Sequence, residues 1–392
     1  MNKYIYFIFL LIISFALYIF EKSFMFSNEV NGSNGSLVTY SIILMLLFST
    51  ITVILHKKNI LMNKLSKKLT ILMIFIYMIS LCYAVIYPFG SRYTYGSIIL
   101  PLFVFYFTSI YSYYFKDDNI ITWIMTFLAI MLSYYFINNY YNNMMYNAEM
   151  QNNGSYAILY LTPFMLCHKN KAVKISSIIM VAIVVMLSLK RGGFFALMGG
   201  ILIYLYISQF KIKEQKFKII SVFIVLIVGI ILTYLITYMN NTILSGLLFE
   251  RMEETTADGG SGRIDIYKYF IGRISDSSIL NLIFGRGYLG STRTGGMSLT
   301  CHNDILEMII DYGIIGLILY LSFVISLIKL CKKMIRNKHK YAPAMGASIV
   351  IFLINSMVSH IIIYPWYLIE FSFFWGFIAQ SSNKNISRNY NI

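Results

Sequence analysis

The fold is decided by the apolar run at residues 219–239, IISVFIVLIVGIILTYLITYM, and by the polar run that follows it. The polar run extends from Asn240 to Asn303 and contains RMEETTADGGSGRIDIYKYFIGR at residues 251–273. The apolar run has the length of a helix that crosses the ~30 Å hydrocarbon core of a bilayer. Because similar apolar runs recur along the chain, we expect membrane-spanning helices interrupted by one long loop.

The composition supports this expectation. The chain has 392 residues, of which 58% are hydrophobic and 12% are charged, whereas a soluble domain carries about 25% charged residues. We therefore predict an all-α polytopic membrane protein with about 12 transmembrane helices. The spans are placed at residues 4–20, 37–55, 69–87, 97–115, 120–137, 154–167, 175–189, 194–210, 219–239, 312–329, 343–361 and 367–380.

The spans divide the chain into three predicted regions. Residues 1–239 form an N-terminal transmembrane bundle, residues 240–303 form a loop with short helices, and residues 304–392 form the C-terminal transmembrane helices. The first apolar run has no small-x-small cleavage site after it, so we expect a retained span rather than a cleaved signal sequence.

Charge predicts the orientation of the spans. The net charge is +16, and most lysines lie in short loops on one side of the predicted spans, which the positive-inside rule assigns to the cytoplasm. Both termini are then cytoplasmic and the long loop is extracytoplasmic. The same distribution argues against a nucleic-acid partner. The 4 cysteines are scattered, which argues against a disulfide framework or a zinc site.

Arginine is distributed in the opposite way to lysine. Seven of the nine arginines lie on the predicted outer side: Arg92, Arg191, Arg251, Arg263, Arg273, Arg286 and Arg293. The guanidinium fork binds phosphate or carboxylate at two points, so these side chains are candidates for holding an anionic substrate. Ion pairs with acidic residues of the same loop are the alternative, but that alternative does not account for Arg191, which has no acidic neighbour in sequence.

Arg191 and Arg263 are the strongest candidates of this group. The short span at 175–189 ends at Lys190-Arg191-Gly-Gly, and charges near the membrane core are costly and usually functional. Snorkelling to lipid phosphates is the alternative. Arg263 begins a predicted helix with Ser261 as its N-cap, and it shares a face with Tyr267 and Phe270. A cation in a first turn becomes favourable when an anion binds there; its alternative is a salt bridge to a nearby carboxylate. Arg286, Arg251 and Tyr267 are further candidates for contacts to the substrate.

His302 is the candidate base. It precedes a helix that Asn303 or Asp304 is expected to cap, and imidazole accepts a proton near neutral pH. The series Asp304, Glu307 and Asp311 shares a helical face, where it could orient the histidine or pair with the loop arginines. Asn303 and Glu307 are also candidate substrate contacts. The other histidines are expected to be solvated in basic loops or packed at a span end: His56, His168, His339 and, at the span end, His360.

Five segments occur in a characteristic order. They are Leu187-Ser-Leu-Lys-Arg191-Gly-Gly, Gly262-Arg263, Phe284-Gly285-Arg-Gly287, His302-Asn303-Asp-Ile-Leu306 and Asp311-Tyr-Gly313-Ile-Ile-Gly316-Leu. This order resembles the O-antigen ligase and O-antigen polymerase superfamily over about residues 187–320. The acidic residue before the glycine is Asp311, where glutamate is common in the superfamily.

The resemblance implies both a fold and a reaction. The fold is a GT-C-like helical bundle of the lipid-linked-sugar transferases. The reaction moves a saccharide from undecaprenyl diphosphate to a sugar hydroxyl and inverts the anomeric centre, with no metal or other cofactor. The arginines matching Arg191 and Arg263 hold the diphosphate, and the histidine matching His302 activates the acceptor hydroxyl.

Among the functions that fit, we favour a surface-polysaccharide polymerase of lipopolysaccharide biosynthesis, with a chain-length regulator as a possible protein partner. The first alternative is an O-antigen ligase that transfers the finished glycan to lipid A–core. The second is a flippase or transporter of lipid-linked oligosaccharide. A transporter would not need a long one-sided loop with a histidine, and it would be expected to show repeat symmetry.

Overall fold

The computed structural model describes most of the chain in separate ranges. They are residues 13, 34–56, 63–85, 93–114, 119–144, 154–188, 190–209, 262–293, 300–362 and 364–388. The predicted spans at 4–20 and 219–239, apart from residue 13, and the candidate residue Arg251 lie outside these ranges.

All regular secondary structure in the described ranges is helical. The helices are α1 Asn34–Leu55, α2 Lys64–Ala84, α3 Tyr93–Tyr114, α4 Asn119–Met144, α5 Gly154–Tyr160, α6 Thr162–Leu166, α7 Lys171–Leu187, α8 Arg191–Gln209, α9 Arg263–Ser275, α10 Ile279–Phe284, α11 Gly290–Arg293, α12 Asp304–Arg336, α13 Ala342–Val358 and α14 Pro365–Arg388.

The prediction of an all-α membrane protein is confirmed. In the described ranges, 5 helices are long and apolar enough to cross a membrane. They are Lys64–Ala84, Gly96–Tyr114, Asn119–Asn138, Arg191–Gln209 and Asp304–Arg336, and shorter apolar helices cover Thr39–Leu55, Gly154–Leu166 and Ala342–Val358. The total number of spans stays a prediction, as do the domain boundaries.

Several predicted spans differ in detail from the helices. The span at 154–167 is two short helices that meet at Leu161, with Pro163 in the first turn of α6, where a missing N–H costs no helical hydrogen bond. The break expected at residues 190–193 is shorter, because α8 already begins at Arg191. Helix α12 begins at Asp304 and contains a kink at Gly313, where φ is 68° and ψ is −171°.

Glycines allow the apolar helices to approach closely. A Cβ added at Gly200 of α8 would lie 2.8 Å from Ile351 of α13. A Cβ at Gly376 of α14 would lie 2.2 Å from the Phe105 carbonyl oxygen of α3. Small residues at helix contacts are typical of packing within membranes, where backbone proximity gives dispersion contacts that larger side chains would prevent.

An aromatic core joins α12, α13 and α14. Trp375 is fully buried, stacks on Phe371 with ring centroids 5.3 Å apart, and meets Phe352 edge-on at 5.2 Å. Its indole nitrogen donates to the Ser348 hydroxyl at 3.2 Å, so its one polar atom is satisfied inside the core. This core sets the positions of the ends of α13 and α14, between which residues 359–364 connect.

Two histidines expected to be solvated are buried instead, so that prediction is wrong for them. His168 is 5% exposed, and its Nε2 hydrogen-bonds the Thr126 hydroxyl at 2.8 Å. His339 is 3% exposed, and its Nδ1 accepts from the Tyr341 amide at 3.3 Å. Both loops turn back onto the bundle, which a pattern of neighbouring lysines does not reveal.

The Gly285-Arg-Gly287 turn locks onto the kink of α12. The amides of Arg286 and Gly287 donate to the Ile310 and Asp311 carbonyls at 2.9 and 2.8 Å. A Cβ at Gly285 would lie 2.2 Å from the Asp311 carbonyl carbon, and one at Gly313 would lie 2.1 Å from the Ile283 carbonyl oxygen. The two glycine motifs therefore allow backbone to touch backbone, and we call this contact the glycine interlock.

Replacing Gly285 by alanine is expected to lower the free energy of unfolding by about 3 kcal/mol or more. The residue has a φ of 78° and no space for a Cβ. Thermal unfolding of the purified protein in detergent measures the change.

Gly272→Ala is the matched control, because Gly272 lies inside α9 with nothing within 4 Å of an added Cβ. At that position alanine should stabilise the helix by up to ~1 kcal/mol. Equal midpoints for the two variants would contradict the interlock.

Candidate functional site

The site is centred on two stacked histidines. The rings of His302 and His360 are 4.8 Å apart between centroids and inclined by 28°. His302 lies in the turn before α12, and His360 lies in the connection between α13 and α14. The Nδ1 atom of His360 hydrogen-bonds the Thr300 hydroxyl at 3.2 Å. The His360 ring also packs on the Tyr364 ring, with the centroids 4.5 Å apart.

Asn303 holds the turn that carries His302. Its Oδ1 caps α12 by accepting from the Ile305 and Leu306 amides at 2.9 and 3.3 Å. Its Nδ2 donates to the Met357 carbonyl at 3.1 Å, and the Tyr267 hydroxyl donates to the same carbonyl at 3.1 Å. One carbonyl near the end of α13 therefore ties α9 and α12 together beside the histidines.

Two fully buried carboxylates fix the backbone on either side of the pair. Asp304 Oδ1 accepts from the Ile361 and Ile362 amides at 2.9 and 3.2 Å, just after His360. Glu307 Oε1 accepts a short hydrogen bond from the Cys301 amide, just before His302. Both contacts hold the backbone next to a histidine, and which of the two roles considered from the sequence these carboxylates have stays a prediction.

Asp311, the third acidic residue of the series, has the same kind of contact further along α12. Its Oδ1 accepts from the Ser291 amide at 2.9 Å at the start of α11. The three carboxylates of the first turns of α12 thus each bind backbone amides of a different neighbouring segment.

Two cations act on the histidine pair. Burial lowers the pKa of His302 below its usual value of 6.5, and the positive charges of Arg263 and Lys190 lower it further. Burial lowers the pKa of His360 more strongly, again with contributions from His302, Arg263 and Lys190. Both imidazoles are therefore neutral at pH 7 and able to accept a proton.

Three helices begin beside the pair. Helix α12 begins after His302 and Asn303, and α9 begins at Arg263. Helix α8 begins at Arg191, and a Cβ at Gly192 would lie 2.6 Å from Val358 and 3.5 Å from the Tyr156 hydroxyl. Helix N-termini carry partial positive charge and unpaired amides, which favour an anion.

The cap predicted for α9 is wrong in one respect. Its N-cap is Gly262 in a left-handed conformation, φ 71°, with no side-chain hydrogen bond, rather than Ser261. The predicted face is confirmed, since Phe270 is 1% exposed against Cys301 and Ile310 and Tyr267 contacts the histidine turn. Because an apolar edge anchors α9 on α12, Arg263 is held at the histidine end.

The structure brings some of the predicted site residues together and separates others. Arg263, Tyr267 and Asn303 lie around His302, and Arg191 lies at the start of α8 after Lys190. Arg286 lies in the glycine interlock, where its Nη2 donates to the Ser277 hydroxyl at 2.9 Å. Glu307 has no exposed surface. The functional roles of all these residues stay predictions, as does that of Arg251 outside the described ranges.

Sequence reasoning missed two members of the site, His360 and Lys190. His360 was expected only to pack at a span end, and Lys190 was considered only with Arg191, as a charge near the membrane, and was not chosen as a site residue. The available signal was topological, because both residues lie at the same predicted side of the membrane as His302. Only the packing of α13 against α8 and α12 shows that they meet.

Residues 175–321 match the family model described as O-antigen ligase. The match includes the starts of α8, α9 and α12, both motifs of the glycine interlock, and His302, whereas His360 lies outside it. No curated protein matches the sequence. The resemblance seen in the sequence motifs is therefore confirmed: residues 175–321 match the O-antigen ligase family model, which is consistent with the O-antigen polymerase and ligase superfamily.

Proposed function

We propose that the protein is a surface-polysaccharide polymerase of the O-antigen type. It transfers glycan from undecaprenyl diphosphate to a sugar hydroxyl of a lipid-linked repeat unit, with inversion and without a metal. The observation that carries this proposal is a neutral histidine pair beside the two cations Arg263 and Lys190. A base next to an anion site is what this transfer requires.

In the proposed step, the acceptor hydroxyl gives its proton to the imidazole of His302. The hydroxyl oxygen attacks the anomeric carbon while the bond from that carbon to the diphosphate oxygen breaks. The electron pair of the broken bond stays on the diphosphate, and a single displacement inverts the anomeric centre. Arg263, Lys190 and Arg191 stabilise the charge that develops on the leaving group, together with the helix N-termini.

The remaining site residues act by position or by secondary contacts. Asn303 and Tyr267 hold the His302 turn against the end of α13, and both are also proposed as contacts to the substrate. Glu307 fixes the turn from behind and has no surface with which to touch substrate. Arg286 and Arg251 are proposed as outer contacts to the sugar or diphosphate.

The proposed location is the bacterial inner membrane, with the histidine site at its periplasmic surface and both termini in the cytoplasm. A chain-length regulator is the proposed protein partner. A ligase acting on lipid A–core is the second candidate, because the matching family model is described by that activity.

The test is incubation of the purified protein with undecaprenyl-diphosphate repeat units. A ladder of longer lipid-linked products supports the polymerase. Transfer to added lipid A–core with no ladder would replace it by the ligase. Movement of the labelled substrate across a vesicle membrane with neither product would reject both transferases.

The pH dependence of the ladder should report His302. The neutral imidazole is the active form, so the rate falls as the pH drops through a pKa below 6.5. In Lys190→Gln one cation is lost, the imidazolium is less disfavoured, and the acidic limb should move to higher pH. Initial rates between pH 5 and 8 measure this shift.

Lys268→Gln is the matched control for this measurement. Lys268 lies on α9, where its side chain is 75% exposed and pairs with Asp265 at 3.8 Å. Its loss should leave the acidic limb unchanged. If the acidic limb shifts equally in both variants, or shifts to lower pH in Lys190→Gln, then it does not report the pKa of His302.

A further inference from the structure

A basic groove lies between the beginning of α2 and the later part of α12. Its volume is about 1150 Å³. Five of its lining residues are lysines: Lys64, Lys67, Lys68, Lys329 and Lys333. Among the described residues no acidic side chain lines the groove, so these walls do not balance the positive charges of the lysines.

The groove lies at the other end of α12 from the histidine site. Helix α12 is kinked at Gly313, and Lys329 follows that kink by roughly four and a half helical turns, or ~24 Å of helix. The lysines therefore lie toward the end of α12 away from the histidines, on the side that the positive-inside rule assigns to the cytoplasmic headgroups.

An apolar stripe continues from the lysines toward the middle of the bundle. Ile318, Leu321 and Ile325 line the groove and are 60%, 42% and 49% exposed. Their spacing places them on one side of α12. A ligand that fits both parts needs an anionic head and an apolar tail.

We propose that this groove binds an anionic phospholipid. The lipid phosphate lies among the lysines, whose ammonium groups suit a phosphate as point charges, and one acyl chain lies along the apolar stripe. The bound phosphate also relieves the repulsion between lysines on neighbouring turns of α2. Basic pockets between transmembrane helices are suited to acidic lipid headgroups.

Binding would strengthen a helix pair on which the site depends. The groove joins α2 to α12, and the hydroxyl of Tyr83 near the far end of α2 donates to the Gly285 carbonyl of the glycine interlock at 2.7 Å. A ligand that binds only the folded protein raises its thermal midpoint by mass action. Anionic lipid should therefore stabilise the protein, and neutral lipid of the same chain length should not.

The test is lipid retention by the purified full-length chain in native mass spectrometry. Phosphatidylglycerol and phosphatidylcholine with identical acyl chains are offered in equal amounts. The intact protein should retain phosphatidylglycerol preferentially, with a higher thermal midpoint. The triple variant Lys67→Gln/Lys68→Gln/Lys329→Gln should bind it about tenfold or more weakly.

A second triple variant, Lys332→Gln/Arg336→Gln/Lys338→Gln, is the matched control. It removes the same charge from exposed positions at the same end of α12 that do not line the groove. Its phosphatidylglycerol retention should match that of the unchanged protein. Equal weakening in both triple variants would mean attraction to the membrane surface in general and would overturn the proposal.

Two further measurements separate the lipid from other occupants. Inorganic phosphate in excess should not displace phosphatidylglycerol, and displacement would reassign the groove to free phosphate. Leu321→Ser/Ile325→Ser should weaken phosphatidylglycerol retention while all lysines remain. Unchanged retention in that variant would mean that no acyl chain binds along the apolar stripe, and it would overturn the proposal that the groove binds a lipid. Circular dichroism and size-exclusion chromatography establish that each variant is folded.

Discussion

Replacing His302 by asparagine is expected to reduce ladder formation by about 10²–10⁴-fold, the usual contribution of a general base. Asparagine is the appropriate replacement because His302 has a φ of 51°, and asparagine tolerates the left-handed region better than alanine. The backbone of the turn should therefore survive while the proton acceptor is lost. Initial rates of ladder formation at saturating substrate measure the effect.

Two other histidines serve as controls for this variant. His56 lies outside the site, where its Nδ1 hydrogen-bonds the Tyr114 hydroxyl at 2.8 Å. His56→Asn should therefore leave the rate unchanged. His360→Asn removes the stacked neighbour and should lower the rate about tenfold or less, because a supporting aromatic contact contributes ~1 kcal/mol.

The pH profile decides which histidine is the base. With His302 as the base, His302→Asn loses the acidic limb that the imidazole produces, whereas His360→Asn keeps it. The reverse pattern would assign the base to His360. An unchanged rate in His302→Asn would remove both the base and the proposed step.

The sequence predicted individual residues of the site better than their neighbours. His302 and Arg263 were recognisable because each stands at a helix start in a polar loop, and the structure places both at one corner. The pairing of His302 with His360 was not recognisable, because it depends on Asp304 binding the amides of Ile361 and Ile362. Every residue except proline has a backbone amide, so the sequence does not show which amides a carboxylate will bind.

The glycines of Gly285-Arg-Gly287 show the same limit in the fold. Two glycines around an arginine indicate a turn whose backbone can approach a bound group, and φ values of 78° and 77° confirm the turn. What Gly285 approaches is the kinked backbone of α12, and what Gly287 approaches is the Tyr83 side chain. A glycine in such a turn indicates that another group lies close to the backbone. Only the structure shows whether that group is a ligand or another segment of the chain.

Replacing Arg263 by glutamine is expected to lower the transfer rate by about 10²–10³-fold, the effect of removing one group that stabilises a developing anion. Arg263→Lys should recover part of this loss, since lysine restores the charge but not the two-point fork. The loss should appear mainly in kcat, because charge on the diphosphate grows as the glycosidic bond breaks.

Stability and pH separate this role from a structural one. A cation in the first turn opposes the helix dipole, so Arg263→Gln should unfold at the same temperature as the unchanged protein or slightly higher. Arg263 also lowers the pKa of His302, so its loss should move the acidic limb of the surviving activity to higher pH.

Arg273→Gln is the control within α9. The Arg273 guanidinium lies over the Tyr269 ring, 5.8 Å from its centroid, in the last turn of the helix, so this variant should leave both the rate and the acidic limb unchanged. A drop in thermal midpoint that accounts for the lost rate, with no shift of the limb, would make Arg263 a structural residue and leave the diphosphate to Lys190 and Arg191.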